Sequence, residues 1–255
     1  MWIDTHCHLD AAEFSVDRDA VASAALAAGV TKIVVPAVEA ANFPAVKECC
    51  QRYPGCLPAY GIHPMYTPQA ADADIDVLRD WLQRERPVAV GEIGLDYFVA
   101  DLDPARQLHF FVEQLKLARE FNLPVLLHVR RAIDPILHEL RRIGVPGGIA
   151  HAFNGSRQQA EMFIALGFKL GFGGAMTWPR ASRLRELAAT LPLESIVLET
   201  DAPDIPPDFV GHGRNEPAFL PRIAQTLADL RRQTLGEIAQ NTSQNATNIL
   251  RLITQ

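Results

Sequence analysis

Lysine is scarce in this 255-residue chain, with four residues against 20 arginines. Cysteine also numbers four (Cys7, Cys49, Cys50, Cys56), and no two stand as CxxC. That excludes a disulfide scaffold, a zinc ribbon and a thioredoxin-type redox pair. The adjacent Cys49 and Cys50 are expected on a helix, buried or half-buried. No run approaches 18 apolar residues, which excludes a helical membrane span. The start, Met1-Trp2-Ile3-Asp4-Thr5-His6, lacks the basic region and apolar core of a signal peptide, so a cytoplasmic location is the default expectation. Low-complexity segments and linkers are absent. A net charge of -6 argues against coating a large nucleic-acid surface by charge alone. It leaves open a site where bound divalent metals reverse the sign locally.

What is there is an ordinary globular composition, 48% hydrophobic and 21% charged. A single domain over 1–255 is expected, large enough to bury about three quarters of its unfolded surface. Apolar runs rich in Val and Ile recur at Trp2–Thr5, Lys32–Val38, Cys56–Ile62, Val88–Ile93, Val125–Val129, Gly148–Ala150, Lys169–Phe172 and Ile196–Glu199. Each is followed by a polar tip and a helical stretch. In Pro104–Phe121, Leu108, Phe111, Leu115 and Ala118 share one helical face, and Pro104 suits a helix start. Similar stripes mark Val77–Leu82, Ile133–Leu140, Ala160–Leu166 and Leu184–Leu191. Gly29, Gly144 and Gly167 stand where helices end. Pro217–Arg232 and Leu235–Leu252 are two closing helical segments. Strand–helix alternation implies a parallel sheet, and eight strands in this length fit an α/β fold of the (β/α)₈ TIM-barrel type. A doubly wound open sheet is the runner-up, weakened because the first strand lacks a GxGxxG turn.

Five of the eight histidines (His6, His8, His63, His128, His151) fall at or just past predicted strand ends, which in a parallel barrel open onto one face. His6-Cys7-His8 aims two imidazoles the same way. Glu92 interrupts an apolar run, and such an acid is rarely buried unless paired or bound to metal. Asp96 is left open between a group supporting the site and a helix cap. Asp201, after the eighth strand, is a natural last ligand or base. Four imidazoles and two carboxylates (His6, His8, Glu92, His128, His151, Asp201) suit borderline divalent metals such as zinc or manganese. The set exceeds one tetrahedral ion and is enough for two ions sharing a bridge. None of Lys32, Lys47, Lys116 or Lys169 falls at a strand end, so Glu92 is the only obvious bridge.

At these residues the chain resembles the TatD-type metal-dependent deoxyribonucleases, within the amidohydrolase-like barrels. The motifs run in order from Asp4-Thr5-His6-Cys7-His8-Leu9-Asp10 through Gly61-Ile62-His63-Pro64 to Gly91-Glu92-Ile93-Gly94-Leu95-Asp96-Tyr97. Gln107 and Gln114 follow. His128 with Arg130, His151-Ala152-Phe153-Asn154-Gly155, Glu199-Thr200-Asp201-Ala202-Pro203 and Arg214-Asn215-Glu216-Pro217 complete the series. The resemblance implies two divalent cations, Zn, Mn or Mg. His6, His8 and Asp201 would hold one, His128 and His151 the other, with Glu92 bridging and His63 nearby. It further implies 3′-to-5′ exonuclease action on DNA, as single strand or ends. No membrane and no obligate protein partner is evident. Asp204 stands where an aromatic is common and adds negative charge near the mouth.

The expected chemistry is attack of a metal-activated water on phosphorus, with Asp201 orienting that water and taking its proton. Arg130 either holds a phosphate oxygen or makes a rim ion pair. His63 either contacts phosphate or protonates the leaving oxygen. Arg214 and Asn215 either touch substrate or brace Glu92 and the neighbouring loop. A rival reading keeps the site and changes the substrate to a cyclic amide, lactone or ester, which a closed apolar pocket would favour. A third, a metal-loaded scaffold without catalysis, is disfavoured by the full ligand set.

Overall fold

Val- and Ile-rich runs buried on both faces are the mark of a parallel sheet covered by helices. In the computed structural model, which describes residues 1–252, eight such runs form the strands. They are β1 (Trp2–Asp4), β2 (Val30–Pro36), β3 (Cys56–Tyr60), β4 (Ala89–Asp96), β5 (Val125–Arg130), β6 (Gly148–Ala150), β7 (Phe168–Phe172) and β8 (Ile196–Leu198). They pair in chain order and all in parallel, as a (β/α)₈ TIM barrel requires. The apolar run Val88–Ile93 predicts a β4 that ends at Ile93. The strand runs three residues further because Gly94, Leu95 and Asp96 pair with His128, Val129 and Arg130. Asp96 is therefore a strand residue.

The helices are α1 (Arg18–Ala27), α2 (Phe43–Arg52), α3 (Asp74–Glu85), α4 (Pro104–Glu120), α5 (Ile133–Ile143), α6 (Arg157–Ala165), α7 (Ser182–Thr190), α8 (Leu220–Arg231) and α9 (Leu235–Ile249). Their ends follow local chemistry. Asp103 accepts the Ala105 N–H ahead of Pro104, and Ser156 and Thr234 form reciprocal capping boxes with Gln159 and Glu237. Gly144 ends α5 at φ +72, a conformation that favours glycine. Cys49 and Cys50 lie on α2, Cys49 buried and Cys50 half-buried, and the four cysteines are free. On α4 the buried face includes Gln107 and Gln114, while Leu108 is only partly buried.

Ile3, Val34, Ala59, Ala89, Leu126, Ile149 and Val197, one from each of seven strands, pack into one cluster with Ala246 and Leu250 at the end of α9. This fills the barrel interior and plugs one end, leaving the strand C-termini as the open face. No helix among the described residues is long and apolar enough to cross a membrane.

A polar seam joins β8 to β1. The Thr5 N–H and hydroxyl both donate to Leu198 O at 3.1 Å. Asp4, fully buried, accepts from the Thr200 N–H (3.0 Å), the Thr200 hydroxyl (2.6 Å) and the His6 N–H (3.2 Å). Burial pushes the Asp4 carboxyl up to about 7 despite these donors. Replacing Thr200 by Val keeps the shape and removes one donor from a buried carboxylate. The expected cost is about 1–3 kcal/mol, read as a lower denaturation midpoint in urea. An unchanged midpoint would show that the seam does not hold the barrel closed.

Candidate active site

The strand ends bring His6, His8, His63, Glu92, His128, His151 and Asp201 together. Glu92 is the centre, 2% exposed, on β4. Its Oε2 lies 3.1 Å from His6 Nε2 and 3.7 Å from His8 Nε2. Its Oε1 lies 3.0 Å from His128 Nδ1, 3.6 Å from His63 Nε2 and 3.9 Å from His151 Nε2. Asp201 closes the other side, with Oδ1 3.6 Å from His6 Nε2 and 3.8 Å from His8 Nε2, and Oδ2 3.8 Å from His151 Nε2. Asp201 has φ +60, a left-handed conformation that Asp tolerates better than most residues, and its carbonyl accepts the Asp204 N–H.

Three donor sets are close enough to share an ion: His6, His8 and Asp201; His6, Glu92 and His151; His63, Glu92 and His128. The His6 and His8 Nε2 atoms are 3.3 Å apart, and the His6 and His151 rings stack at 3.8 Å between centroids. Burial and the neighbouring His151 push the His6 pKa down, leaving a neutral ring with a free lone pair. Burial opposes charge on His151 too, but Asp201 and Glu199 outweigh it and raise that ring to about 10. His128 is raised in the same way by Asp96 and Glu92. Burial disfavours the Glu92 carboxylate, yet the surrounding His6 and His63 hold its pKa well below the usual range. The carboxylates thus draw positive charge into a buried space, held as protons on His151 and His128. Divalent cations supply that charge, so the residues fit metal binding.

Two carboxylates outside the cluster orient its rings. Glu199 Oε1 lies 3.1 Å from His151 Nδ1, and Asp96 Oδ2 lies 3.0 Å from His128 Nε2. Each ring is held at one nitrogen and offers the other to the cluster. Asp96 Oδ1 also accepts the Phe98 and Val99 N–H groups, so it both supports a ring and caps a turn. His63 differs. Its Nδ1 accepts the Met65 N–H at 3.2 Å, so a neutral ring carries its proton on Nε2, facing Glu92.

Gln107 and Gln114 act as side-chain imitations of a strand. Gln114 exchanges two bonds with the backbone of Ile62 (2.6 and 3.0 Å), and Gln107 does the same with Asp96 (2.7 and 2.9 Å). Together they fix the segment before His63 and the end of β4 to α4. The residue pattern alone does not single them out, because a glutamine in a helix reads as a surface residue.

Arg130 stands at the rim, 48% exposed at its side chain, 3.9 Å from Asp96 and stacked 3.8 Å from the Phe98 ring centroid. Arg214 pairs with Asp17 through both guanidinium nitrogens (2.9 and 2.6 Å) and with Glu216 (2.9 Å). Asn215 is fully buried, donating to Thr200 O, Asp204 O and Ile205 O and accepting from the Glu216 N–H. These bonds tie the loop after β8 to itself and to the segment before α1, and none of them reaches Glu92. His109 and His138 lie on α4 and α5, apart from the cluster.

A parallel barrel carrying this histidine–carboxylate cluster at its strand ends defines a metal-dependent hydrolase. The family model for TatD related DNases matches residues 3–251. The chain is 46% identical to YjjV of Escherichia coli strain K12, a protein named as an uncharacterized metal-dependent hydrolase, over 94% of this chain and 93% of that one. It is 33% identical to the 3′-5′ ssDNA/RNA exonuclease TatD of Erwinia billingiae, over 98% of each. The crystal structure of the E. coli K12 YjjV, a TatD homologue, superimposes with a TM-score of 0.95 at 43% identity, covering 99% and 98% of the two chains. The chain belongs to the TatD-related DNase family.

If Asn215 is a brace, Asn215→Ala strands three carbonyls and an N–H. The expected loss is about 2–3 kcal/mol of stability, measured by urea unfolding. An unchanged midpoint would return Asn215 to the set of residues free to contact substrate.

Proposed function

We propose that this hydrolase cleaves phosphodiester bonds in nucleic acid as a 3′-to-5′ deoxyribonuclease working with two divalent cations, with residues 1–255 acting as one cytoplasmic domain. The observation that carries the reading is the gathering of five imidazoles around Glu92, with Asp201 facing three of them, more donors than one tetrahedral ion takes. The TatD exonuclease names of its relatives support the substrate class.

His6, His8 and Asp201 would hold one cation and His128 and His151 the other, with Glu92 between them. When bound, such cations acidify a water and polarise a phosphoryl oxygen. Asp201 orients the attacking water and accepts its proton. His63, through its Nε2–H, would donate to the leaving oxygen. Arg130, exposed at the rim, pairs with a non-bridging phosphate oxygen. Asp96 and Glu199 keep His128 and His151 from rotating away.

Single-stranded oligonucleotide labelled at one end tests the reading. Metal-loaded protein is expected to give a ladder shortened from the 3′ end, lost on chelation and restored by Mg, Mn or Zn. Full hydrolysis by protein shown to be metal-free would refute it. Hydrolysis of a lactone or cyclic amide with intact DNA would favour the small-substrate alternative.

Two variants separate holding from chemistry. Glu92→Ala removes the group shared by both sites and is expected to lower metal content more than any other single ligand change. Asp201→Asn keeps the size and one oxygen but cannot take a proton. Turnover should fall by roughly 10²–10⁴, with less metal lost than in Glu92→Ala. Turnover within about threefold of wild type would remove Asp201 as the base and leave His63 as the next candidate.

A further inference from the structure

At the rim beside the histidine–carboxylate cluster, β4 and β5 lead into one aromatic ring and two adjacent arginines. Phe98 is 46% exposed, one of the few large apolar side chains left to solvent. The guanidinium carbon of Arg130 lies 3.8 Å from its ring centroid and that of Arg131 4.6 Å. Both arginines are exposed. The Phe98 N–H donates to Asp96 Oδ1 at 2.9 Å, so the ring is anchored to the carboxylate that orients His128. Successive residues of a strand point to opposite faces, and neighbours such as Arg130 and Arg131 would ordinarily part. Arg131, the first residue after β5, has φ +54, which breaks that alternation and lets both heads meet one ring. A residue other than glycine in this left-handed region is uncommon and costs energy, and such positions gather at binding sites.

The ring holds the two heads without occupying their donors. Among the described residues Arg131 makes no ion pair and no side-chain hydrogen bond, and Arg130 has only the 3.9 Å approach to Asp96. A guanidinium lying on an aromatic ring keeps the N–H groups at its own edge free. Across the barrel, on the β8–β1 side, the arginines are occupied. Arg18 donates to Asp10 O (2.7 Å) and Ala11 O (2.8 Å), and Arg214 pairs with Asp17 and Glu216. Glu13 and Asp204 are exposed on that side. An anionic strand is therefore drawn to the β4–β5 side of the mouth and repelled from the other.

We propose that Phe98 presents Arg130 and Arg131 as a two-guanidinium clamp on the sugar–phosphate backbone, with Arg131 taking the phosphate one nucleotide beyond the scissile bond. The proposal rests on the phosphodiesterase reading, in which Arg130 meets the scissile phosphate. In a 3′-to-5′ exonuclease the terminal nucleotide carries no phosphate past the scissile one. The next phosphate therefore belongs to the retained strand, on its 5′ side. Arg131 is one residue further out along the chain than Arg130 and shares its ring, which suits adjoining phosphates of one strand. Each guanidinium edge offers two parallel N–H groups to a phosphate. Phe98 acts through the arginines and is a positioning residue. The clamp reads backbone charge and carries no base preference.

The test compares kcat/KM for d(TpT) and d(pTpT), which share one cleavable bond and differ by the 5′-phosphate. Metal-loaded wild type is expected to favour d(pTpT) by about tenfold, the weight of one charge-assisted hydrogen bond. Arg131→Ala, or Arg131→Gln should the first not fold, should bring the ratio to within about twofold of one. The ratio cancels any general loss of activity. Phe98→Leu should lower it toward one, and Phe98→Tyr, which keeps the ring, should restore it. Binding of a fluorescein-labelled thymidine octanucleotide, followed by anisotropy in the Asp201→Asn background, gives a readout that does not need hydrolysis. Adding Arg131→Ala there should weaken binding about tenfold and flatten the logarithmic salt dependence by about 0.7, the share of one phosphate on a single strand. Equal cleavage of the two dinucleotides by wild type overturns the clamp and leaves the nuclease reading standing. A preference for d(pTpT) that survives Arg131→Ala overturns the assignment to Arg131. No cleavage of any oligonucleotide, with octanucleotide binding that Arg131→Ala weakens, rejects the nuclease reading and supports the clamp. Absence of both cleavage and binding overturns both.

Discussion

One carboxylate sets the terms for the rest of the barrel. Glu92 is almost without solvent, and a charge there must be met from all sides. The fold answers with histidines from the ends of β1, β3, β5 and β6, and each needs its own support. Asp96 and Glu199 hold two of the rings, and the Met65 N–H fixes a third. Those supports are buried polar groups in turn. Gln107 ties down the backbone of Asp96, and Asn215 the loop beside Asp201. Polarity near the centre is therefore layered, and the outermost layer is backbone.

The barrel and most of its cluster are readable in the residues because the signal is a contrast. A His or Glu ending a run of Val, Ile and Leu stands out, and eight such runs leave few ways to fold. What escapes the reading is polar groups whose neighbours in the chain are also polar. Gln107 and Gln114 sit in a helix of mixed character, where only the family resemblance marks them. Asp4 belongs to a recognised motif, yet its task of closing the sheet depends on Thr200, far along the chain. The extra length of β4 was hidden because Gly94 weakens the strand pattern that its pairing with His128 restores.

Arg130 and Arg214 illustrate how little residue type alone decides. Both are arginines near family motifs after strands. One is half-exposed on a ring at the rim, and the other has its charge matched by Asp17 and Glu216. A guanidinium already paired twice has little left for a phosphate. The charges facing it made the difference, and they come from elements distant in sequence.

The seam between β1 and β8 ties the order of synthesis to function. Asp4 and Thr200 are separated by 196 positions, and His6 and Asp201 flank the same join. Closing so long a loop is entropically late, because few local contacts favour it beforehand. A nascent chain that has made β1 through β7 holds all five imidazoles and Glu92 but lacks Asp201. Only the arrival of β8 sets Asp201 against His6 and His8. Ring closure and completion of the donor set are the same event, so an interrupted or truncated chain carries a partial set of ligands and no assembled centre.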